Sequence, residues 1–398
     1  LSLSESGRME VDCNAKGVPL IEADTAKTLA DFGDFSLSDS VREELVPEID
    51  YHSQPIQEIP LLYVQLTRFK GDQQQQQQQG LAIGVAYSHP VADGSAWTHF
   101  INTWAMVNRG DSIDLKEMPF LDRTILKFPT LSLSLSLSSL SPSPPPRFDH
   151  PELKPLPLIL GRSDNTEEQN KKTTVSVLKL TSKQVEMLKK KVNDEGSRPC
   201  TRFEAVAAHI WRCACKAREL HHKQPTIVRF NGDFRDRLIP PLPRNYFGNA
   251  LVATVTPECY VGEITSRPLS YAARKLREAI ALLRDEYIRS QLEAMFGEEQ
   301  LECIRAFFLG QGEGRYAPFG GNPNLHITSW INFPVHRTDF GWGKPVYFGL
   351  GYVCAFDRGI IVRDPQDDDS LIVIMHFQIA HMQLFKKFFY EDIFTSRL

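Results

Sequence analysis

Residues 88 to 94 read Ser88-His89-Pro90-Val91-Ala92-Asp93-Gly94, and the rest of the sequence can be arranged around them. The apolar run before them, Leu81 to Tyr87, predicts a buried strand. Pro90 lacks a backbone N–H and disfavours helix at the preceding residue, so we expect His89 on a turn at the end of that strand. Apolar residues at helical spacing after Gly94 predict a helix. Because a histidine near a turn is more often structural or solvated than catalytic, this pattern alone leaves both roles open.

The composition is that of an ordinary globular protein. Of 398 residues, 42% are hydrophobic and 24% are charged, and the formal net charge is -4. These values do not indicate a nucleic-acid or membrane partner, and no apolar run is long enough to span a bilayer. The chain begins at Leu1, so we expect a missing N-terminal part. Seven scattered cysteines without CxxC spacing argue against a disulfide framework and a zinc site, and they favour a cytoplasmic location.

The order of the predicted elements indicates two domains. The alternating Leu-Ser run and the prolines at 131–146 are typical of a linker. We therefore predict an N-terminal domain at 1–145, a crossover linker at 146–172 and a C-terminal domain at 173–398. Strands and helices alternate in both halves, which favours an α/β fold.

Several individual elements can also be predicted. Residues 8 to 24 have the pattern of a hairpin around Asn14 to Gly17, and the strand at Leu61 to Phe69 should pair with Leu81 to Tyr87. The longest helix is expected at Leu269 to Phe296, and the helix of the Cys213 region should place Cys213 and Cys215 on different faces. Further strands are predicted at His326 to Phe333, Val346 to Phe348 and Leu371 to Gln378.

A second motif follows the first by about 250 residues. Asp339-Phe-Gly-Trp-Gly343, taken in order with His89-x-x-x-Asp93-Gly94, resembles the plant BAHD acyl-CoA-dependent acyltransferase family. Within that family the sequence is similar to spermidine hydroxycinnamoyl transferases, and the similarity covers nearly the whole chain. Supporting stretches are Pro119-Phe-Leu-Asp-Arg123, Thr201-Arg-Phe-Glu204, Pro240-Pro-Leu-Pro243, Tyr246-Phe-Gly-Asn249 and Gly321-Asn-Pro-Asn-Leu325.

The resemblance implies two domains of the chloramphenicol-acetyltransferase type with a solvent channel between them. The first domain would be incomplete at its N-terminus. Acyl-CoA would serve as a co-substrate, entering from one side while the acceptor enters from the other. It implies no bound cofactor and no metal, and we expect a monomer. The residues that contact CoA are not assigned.

The resemblance also implies roles for the motif residues. His89 would be the general base for the acceptor nucleophile, a role typically worth ~10²- to 10⁴-fold in rate. Asp93 could be read as its catalytic partner, but in the family this Asp pairs with an Arg that matches Arg235, so we expect a structural ion pair. Asp339, Gly341, Trp342 and Gly343 are expected to support the site structurally. A role of the Trp342 indole as an oxyanion donor is the weaker alternative.

The acceptor is predicted from three positions. Shikimate- and quinate-using relatives carry an arginine two residues after the Trp of a Ser-Trp-x-Arg stretch, whereas this chain has Trp330 followed by Asn332. Asp357 matches one acid of an acidic stretch found in polyamine-using relatives, although Arg358 adds a positive charge. We therefore predict hydroxycinnamoyl transfer to an amine such as spermidine. The alternatives are O-acylation of a shikimate- or quinate-type or fatty alcohol, and a non-catalytic truncated paralogue.

Overall fold

The computed structural model describes residues 1–3, 9–33, 43–49, 55, 57–69, 80–126, 148–193, 198–295, 320–351 and 357–394. They fall into two compact units. Unit 1 is the chain to Asp93 with short returns at 295 and 349–351, and unit 2 is Gly94–Ala294 with 320–348 and 357–394. Packing thus groups the segment after Gly94 with the C-terminal strands. The domain limits predicted at 145 and 172 stay a prediction, and the low-complexity run at 131–146 lies outside the described residues.

Unit 1 is built on a three-stranded sheet. Its strands are β1 (Ser2–Leu3), β2 (Met9–Glu10), β3 (Leu20–Thr25), β4 (Leu62–Phe69) and β5 (Gly80–Tyr87), of which β3, β4 and β5 form that sheet in this order. The predicted pairing of β4 with β5 is confirmed, antiparallel from Leu62 opposite Tyr87 to Phe69 opposite Gly80. The predicted hairpin at 8–24 is wrong, because β2 pairs with β1 and β3 pairs in parallel with β4.

Unit 2 alternates helices and strands. Its helices are α1 (Gly94–Asn108), α2 (Thr166–Gln169), α3 (Ser182–Val192), α4 (Arg202–Arg218), α5 (Val261–Ser266), α6 (Leu269–Leu282), α7 (Asp285–Met295) and α8 (Ile379–Phe394). Its strands are β6 (Thr173–Leu180), β7 (Pro225–Thr226), β8 (Val228–Asp233), β9 (Leu251–Val255), β10 (Cys259–Tyr260), β11 (Leu325–Trp330), β12 (Arg358–Asp364) and β13 (Asp367–Gln378). Within the described ranges, no helix combines the length and apolar character that crossing a membrane requires.

The centre of unit 2 is a mixed six-stranded sheet in the order β6-β13-β12-β11-β8-β9. Strand β11 runs parallel to both of its neighbours, and the other pairs are antiparallel. One face of this sheet forms the main core with α4, whose Ala205 to Cys215 segment is almost entirely buried. Cys213 and Cys215 are both free thiols in that core.

Two predicted elements of unit 2 differ from the structure, and one of its strands was not predicted. The helix expected at 269–296 is two helices, because Leu283 turns into the protein and its carbonyl accepts a hydrogen bond from Arg237 at 3.1 Å. Asp285 starts the second helix and accepts the Ile239 N–H at 2.8 Å. Val346 to Phe348 is not a strand. Strand β12, which the sequence did not predict, lies between β11 and β13.

The described part of the predicted crossover linker is packed on unit 2. The Gln224 side chain donates to the Leu158 carbonyl at 2.9 Å and accepts the Leu160 N–H at 2.8 Å. Asn324 Nδ2 donates to the Pro157 carbonyl at 2.8 Å. Because two loop side chains of unit 2 hold its backbone at 157–160, this segment is anchored to the unit there.

Candidate active site

His89 lies on a turn that follows β5, as predicted. The Ser88 N–H donates to the Leu61 carbonyl at 2.8 Å, and the Val91 N–H closes the turn onto the Ser88 carbonyl at 3.0 Å. Strand β5 ends at Tyr87, and the His89 side chain is exposed. The turn is therefore held by backbone hydrogen bonds at both ends while the imidazole remains accessible.

The residues on either side of His89 are more buried. The ring of Tyr87 lies 6.5 Å from the imidazole, centroid to centroid, and Asp93 is fully buried. Burial, reinforced by the negative charge of Asp93, raises the pKa of Tyr87 to about 12. Tyr87 is therefore a neutral phenol at physiological pH, and the buried carboxylate of Asp93 is set back from solvent. Because Asp93 is fully buried, it is poorly placed to contact a substrate.

Arg235, the predicted partner of Asp93, belongs to unit 2. Its guanidinium donates to Asp233 Oδ2 at 2.9 Å and to the carbonyls of Tyr246 and Gly248 at 3.3 and 3.0 Å. These contacts fix the loop that follows β8. The pairing of Arg235 with Asp93 stays a prediction.

Gly94, the last residue of the first motif, lies against two aromatic side chains. A Cβ atom at this position would come within 3.0 Å of the Phe333 ring and 3.7 Å of the Trp330 indole nitrogen. Trp330 and Phe333 are stacked, with ring centroids 5.5 Å apart. The absence of a side chain at Gly94 therefore lets α1 begin directly beside Trp330.

The second motif forms a tight turn around one carboxylate. Asp339 Oδ1 accepts the N–H groups of Gly341 and Gly343 at 2.8 and 2.9 Å, and these hydrogen bonds lower the pKa of Asp339. Gly341 and Gly343 have φ of 103° and 100°, a region that favours glycine. The Asp-x-Gly-x-Gly spacing is thus explained by the turn itself.

This turn is attached to α1. The Phe340 ring packs edge-on against Trp104 at 4.9 Å, and its carbonyl accepts Asn108 Nδ2 at 2.8 Å. Arg109 donates to the Asp339 carbonyl. Trp342 stacks on Phe340 at 5.9 Å and is 68% exposed. All of these contacts are structural, and they are consistent with the predicted supporting role of the motif.

The sequence of this chain is similar to known transferases over nearly its whole length. A model of the Transferase family matches residues 1–392. The chain is 42% identical to hydroxycinnamoyl-CoA:piscidic acid hydroxycinnamoyltransferase of Actaea racemosa, over 97% of this chain and 82% of that protein. It is 38% identical to shikimate O-hydroxycinnamoyltransferase of Nicotiana tabacum, over 98% of this chain and 83% of that protein. The chain belongs to the BAHD acyltransferase family.

The fold agrees with that assignment. The structure resembles TRI101 of F. sporotrichioides, solved with coenzyme A and T-2, with a TM-score of 0.65 at 19% identity over 94% of this chain and 79% of that one. It resembles vinorine synthase with a TM-score of 0.61 at 19% identity, over 94% and 76% of the two chains. The predicted α/β acyltransferase fold is confirmed. As a BAHD member the chain is an acyltransferase with acyl-CoA as its co-substrate.

Two of the three predicted acceptor positions are accessible. Asn332 is exposed, and Trp330 is half-buried at the end of β11. The third, Asp357, is 1% exposed and forms an ion pair with Arg218 at 2.5 Å. Its carboxylate also accepts the Asn322 N–H at 3.2 Å. An acceptor role for Asp357 stays a prediction, but an acceptor amine would have to compete with Arg218.

A buried polar network adjoins that ion pair, and no sequence motif signalled it. Asn322 Nδ2 and Gln378 Nε2 both donate to Glu168 Oε2, at 2.9 and 2.8 Å. Burial alone would raise the pKa of Glu168, but hydrogen bonds from Gln378, Lys171 and Asn322 outweigh it and lower the pKa. Among the residues that the structure describes, no group of three or more His, Cys, Asp or Glu side chains is placed to hold a metal ion.

Proposed function

We propose that the chain transfers a hydroxycinnamoyl group from hydroxycinnamoyl-CoA to a small-molecule acceptor, with His89 as the general base. The observation that carries the proposal is the exposed imidazole on a turn that directly follows β5 and that a backbone hydrogen bond joins to Leu61. The donor class is supported by the relatives at 42% and 38% identity, which are named for hydroxycinnamoyl transfer.

The chemistry requires one base and no covalent enzyme intermediate. His89 removes the proton from the acceptor hydroxyl or amine as its oxygen or nitrogen attacks the thioester carbonyl carbon. The tetrahedral intermediate then collapses, the C–S bond breaks, and the imidazolium returns its proton to the CoA thiolate. The sequence has no serine or cysteine in a nucleophile-elbow context, which favours direct transfer over an acyl-enzyme.

We favour a carboxylic acid with a free hydroxyl or amine as the acceptor. Relatives are named for piscidic acid, shikimate and 5-hydroxyanthranilate. The buried pairing of Asp357 with Arg218 weakens the argument for a polyamine. Spermidine is the second candidate, and the exposed, uncharged Asn332 at the position where shikimate-using relatives carry arginine favours it.

The test is turnover by the purified chain with caffeoyl-CoA and four acceptors: shikimate, malate, spermidine and a fatty alcohol. His89→Ala should lower kcat/KM by about 10²- to 10⁴-fold. His221→Ala, which removes another exposed turn histidine, should leave it unchanged. If His89→Ala retains full activity, His89 is not the base. Turnover with spermidine but neither acid would reverse the order of the two acceptor candidates, and no product with any acceptor would refute the proposed function.

A further inference from the structure

One arginine of unit 2 lies at the end of two parallel strands. Strands β11 and β12 are parallel, and their register ends with Trp330 opposite Val362. The next residues along the two strands remain neighbours, since Arg363 Nε donates to the Ile331 carbonyl at 3.2 Å. In open α/β sheets, ligands bind in the crevice beyond the carboxyl ends of the strands. Arg363 is therefore at the end of the sheet where a ligand is expected.

The carbonyl that Arg363 holds belongs to a tight turn. The Phe333 N–H donates to the Trp330 carbonyl at 3.0 Å. This hydrogen bond closes a turn with Ile331 and Asn332 at its corners. Ile331 is buried in the main core, whereas Asn332 is exposed. Since the Ile331 carbonyl carbon is bonded to the next backbone nitrogen, Arg363 Nε is at most about 6 Å from the Asn332 Cα, beside the exposed corner.

The same turn lies beside the end of the histidine motif. Its two aromatic residues, Trp330 and Phe333, approach Gly94, the first residue of α1. In the sequence, Gly94 follows His89 by five residues. The turn therefore joins Arg363 to the start of the helix that follows the histidine motif.

The guanidinium of Arg363 keeps two nitrogen atoms available. Among the residues that the structure describes, none forms a hydrogen bond or an ion pair with its Nη1 or Nη2, and both atoms are open to solvent. Asp364, the next residue, is on the other alternation of β12 and pairs with Lys179 at 2.6 Å. The hydrogen bond from Nε to a backbone carbonyl fixes the direction of the group. Its remaining N–H fork is therefore preorganised for a planar anion.

We propose that Arg363 binds a carboxylate of the acyl acceptor and so determines a preference for acids. The proposal rests on the proposed function, in which the acceptor is an acid. The two Nη groups donate in parallel to the two carboxylate oxygens, and the exposed Asn332 amide bonds a neighbouring hydroxyl or amine of the same acceptor. The positive charge that position 332 lacks is then supplied from the adjacent strand.

The test uses the carboxylate of the acceptor as the variable. Wild type and Arg363→Gln are assayed with caffeoyl-CoA and with shikimate or malate, each compared with its methyl ester, which has a similar shape but no charge. In the wild type the KM of the ester should exceed that of the acid at least about tenfold, the loss expected for a hydrogen bond between charged groups. In Arg363→Gln the KM of the acid should rise to that of the ester, and the KM for caffeoyl-CoA should stay the same.

The matched control is Arg202→Gln. Arg202 is also half-buried in unit 2, but it pairs with Asp369 at 2.8 Å, so its loss should leave the KM values of acid and ester unchanged. Arg363→Lys keeps the charge but lacks the planar fork, so it should reduce the preference for the acid. It carries the test if thermal unfolding shows that Arg363→Gln is not folded. A preference as large as that of the wild type in either folded variant, or an equal rise for acid and ester, overturns the inference.

Calorimetric binding of shikimate and malate without acyl-CoA separates this inference from the proposed function. Loss of acid binding in Arg363→Gln supports the inference even if the wild type shows no turnover. Turnover of an acid whose KM is unchanged in Arg363→Gln overturns the inference and leaves the proposed function standing. A raised KM for caffeoyl-CoA alone assigns Arg363 to the CoA phosphates and overturns the inference. A wild type that neither binds nor acylates an acid overturns it as well.

Discussion

The ion pair between Asp357 and Arg218 allows a direct test of two opposed roles for Asp357. The sequence suggested contact with an acceptor amine, whereas the structure buries this carboxylate against Arg218 at 2.5 Å, with side-chain exposures of 1% and 0%. The substitution Asp357→Asn keeps the shape of the side chain and removes its charge. It therefore changes the ion pair with little change in packing.

The expected loss of stability is large. Arg218 also donates to the carbonyls of Pro323 and Asn324 at 2.9 and 2.8 Å, so it stays in place when Asp357 is neutral. Removing one partner of a buried pair leaves an uncompensated charge and costs about 3–5 kcal/mol. For a unit of this size such a loss lowers Tm by on the order of 10 °C.

The assay is urea and thermal unfolding of the wild type, Asp357→Asn and the control Asp369→Asn. Asp369 pairs with Arg202 at 2.8 Å, but the two side chains are 70% and 32% exposed, so its loss should cost less than about 1 kcal/mol. If Asp357→Asn unfolds like Asp369→Asn, the burial argument is refuted. If it is also folded and loses turnover with spermidine alone, Asp357 contacts the acceptor as first predicted.

Two further predictions concern the motif turn and a core histidine. Gly343→Ala should lower the free energy of unfolding by about 1–3 kcal/mol through backbone strain alone, because no atom lies within 4 Å of the new Cβ. An unchanged free energy of unfolding in urea would show that the turn does not require glycine at this position. Burial lowers the pKa of His209 to about 4. As the pH is lowered from 6.5 to 4, the histidine therefore becomes protonated in the unfolded chain but not in the folded one, and the free energy of unfolding decreases. His209→Gln should flatten the pH dependence of the unfolding free energy there, and an identical slope in the variant would exclude His209 as its source.

Local sequence signals predicted the surroundings of His89 well. The apolar run before it, the proline after it and the amphipathic segment beyond Gly94 each act within a few residues, and the structure shows a strand, a turn and a helix in that order. Helices α3 and α4 have equally local causes in the structure, since each starts at a threonine cap, Thr181 or Thr201, and has a continuous buried face. Where neighbours in the sequence determine the structure, the sequence is sufficient.

Long-range contacts account for the elements that could not be predicted. The break at Leu283 depends on a contact with Arg237, almost fifty residues earlier in the sequence. Strand β12 lies between β11, which precedes it in the sequence, and β13, which follows it. The hairpin signal around Asn14 to Gly17 was overridden because β3 pairs in parallel with β4.

The two sequence motifs are connected through α1. This helix begins at Gly94, where the histidine motif ends, and its side chains Asn102 and Asn108 donate to the carbonyls of Pro334 and Phe340 at 3.2 and 2.8 Å. Residues 334–340 therefore hold the last two turns of α1, the helix whose first residue directly follows Asp93 in the chain. The second motif thus contacts the end of α1 through Phe340, while its own Trp342 is exposed and stacks on Phe340.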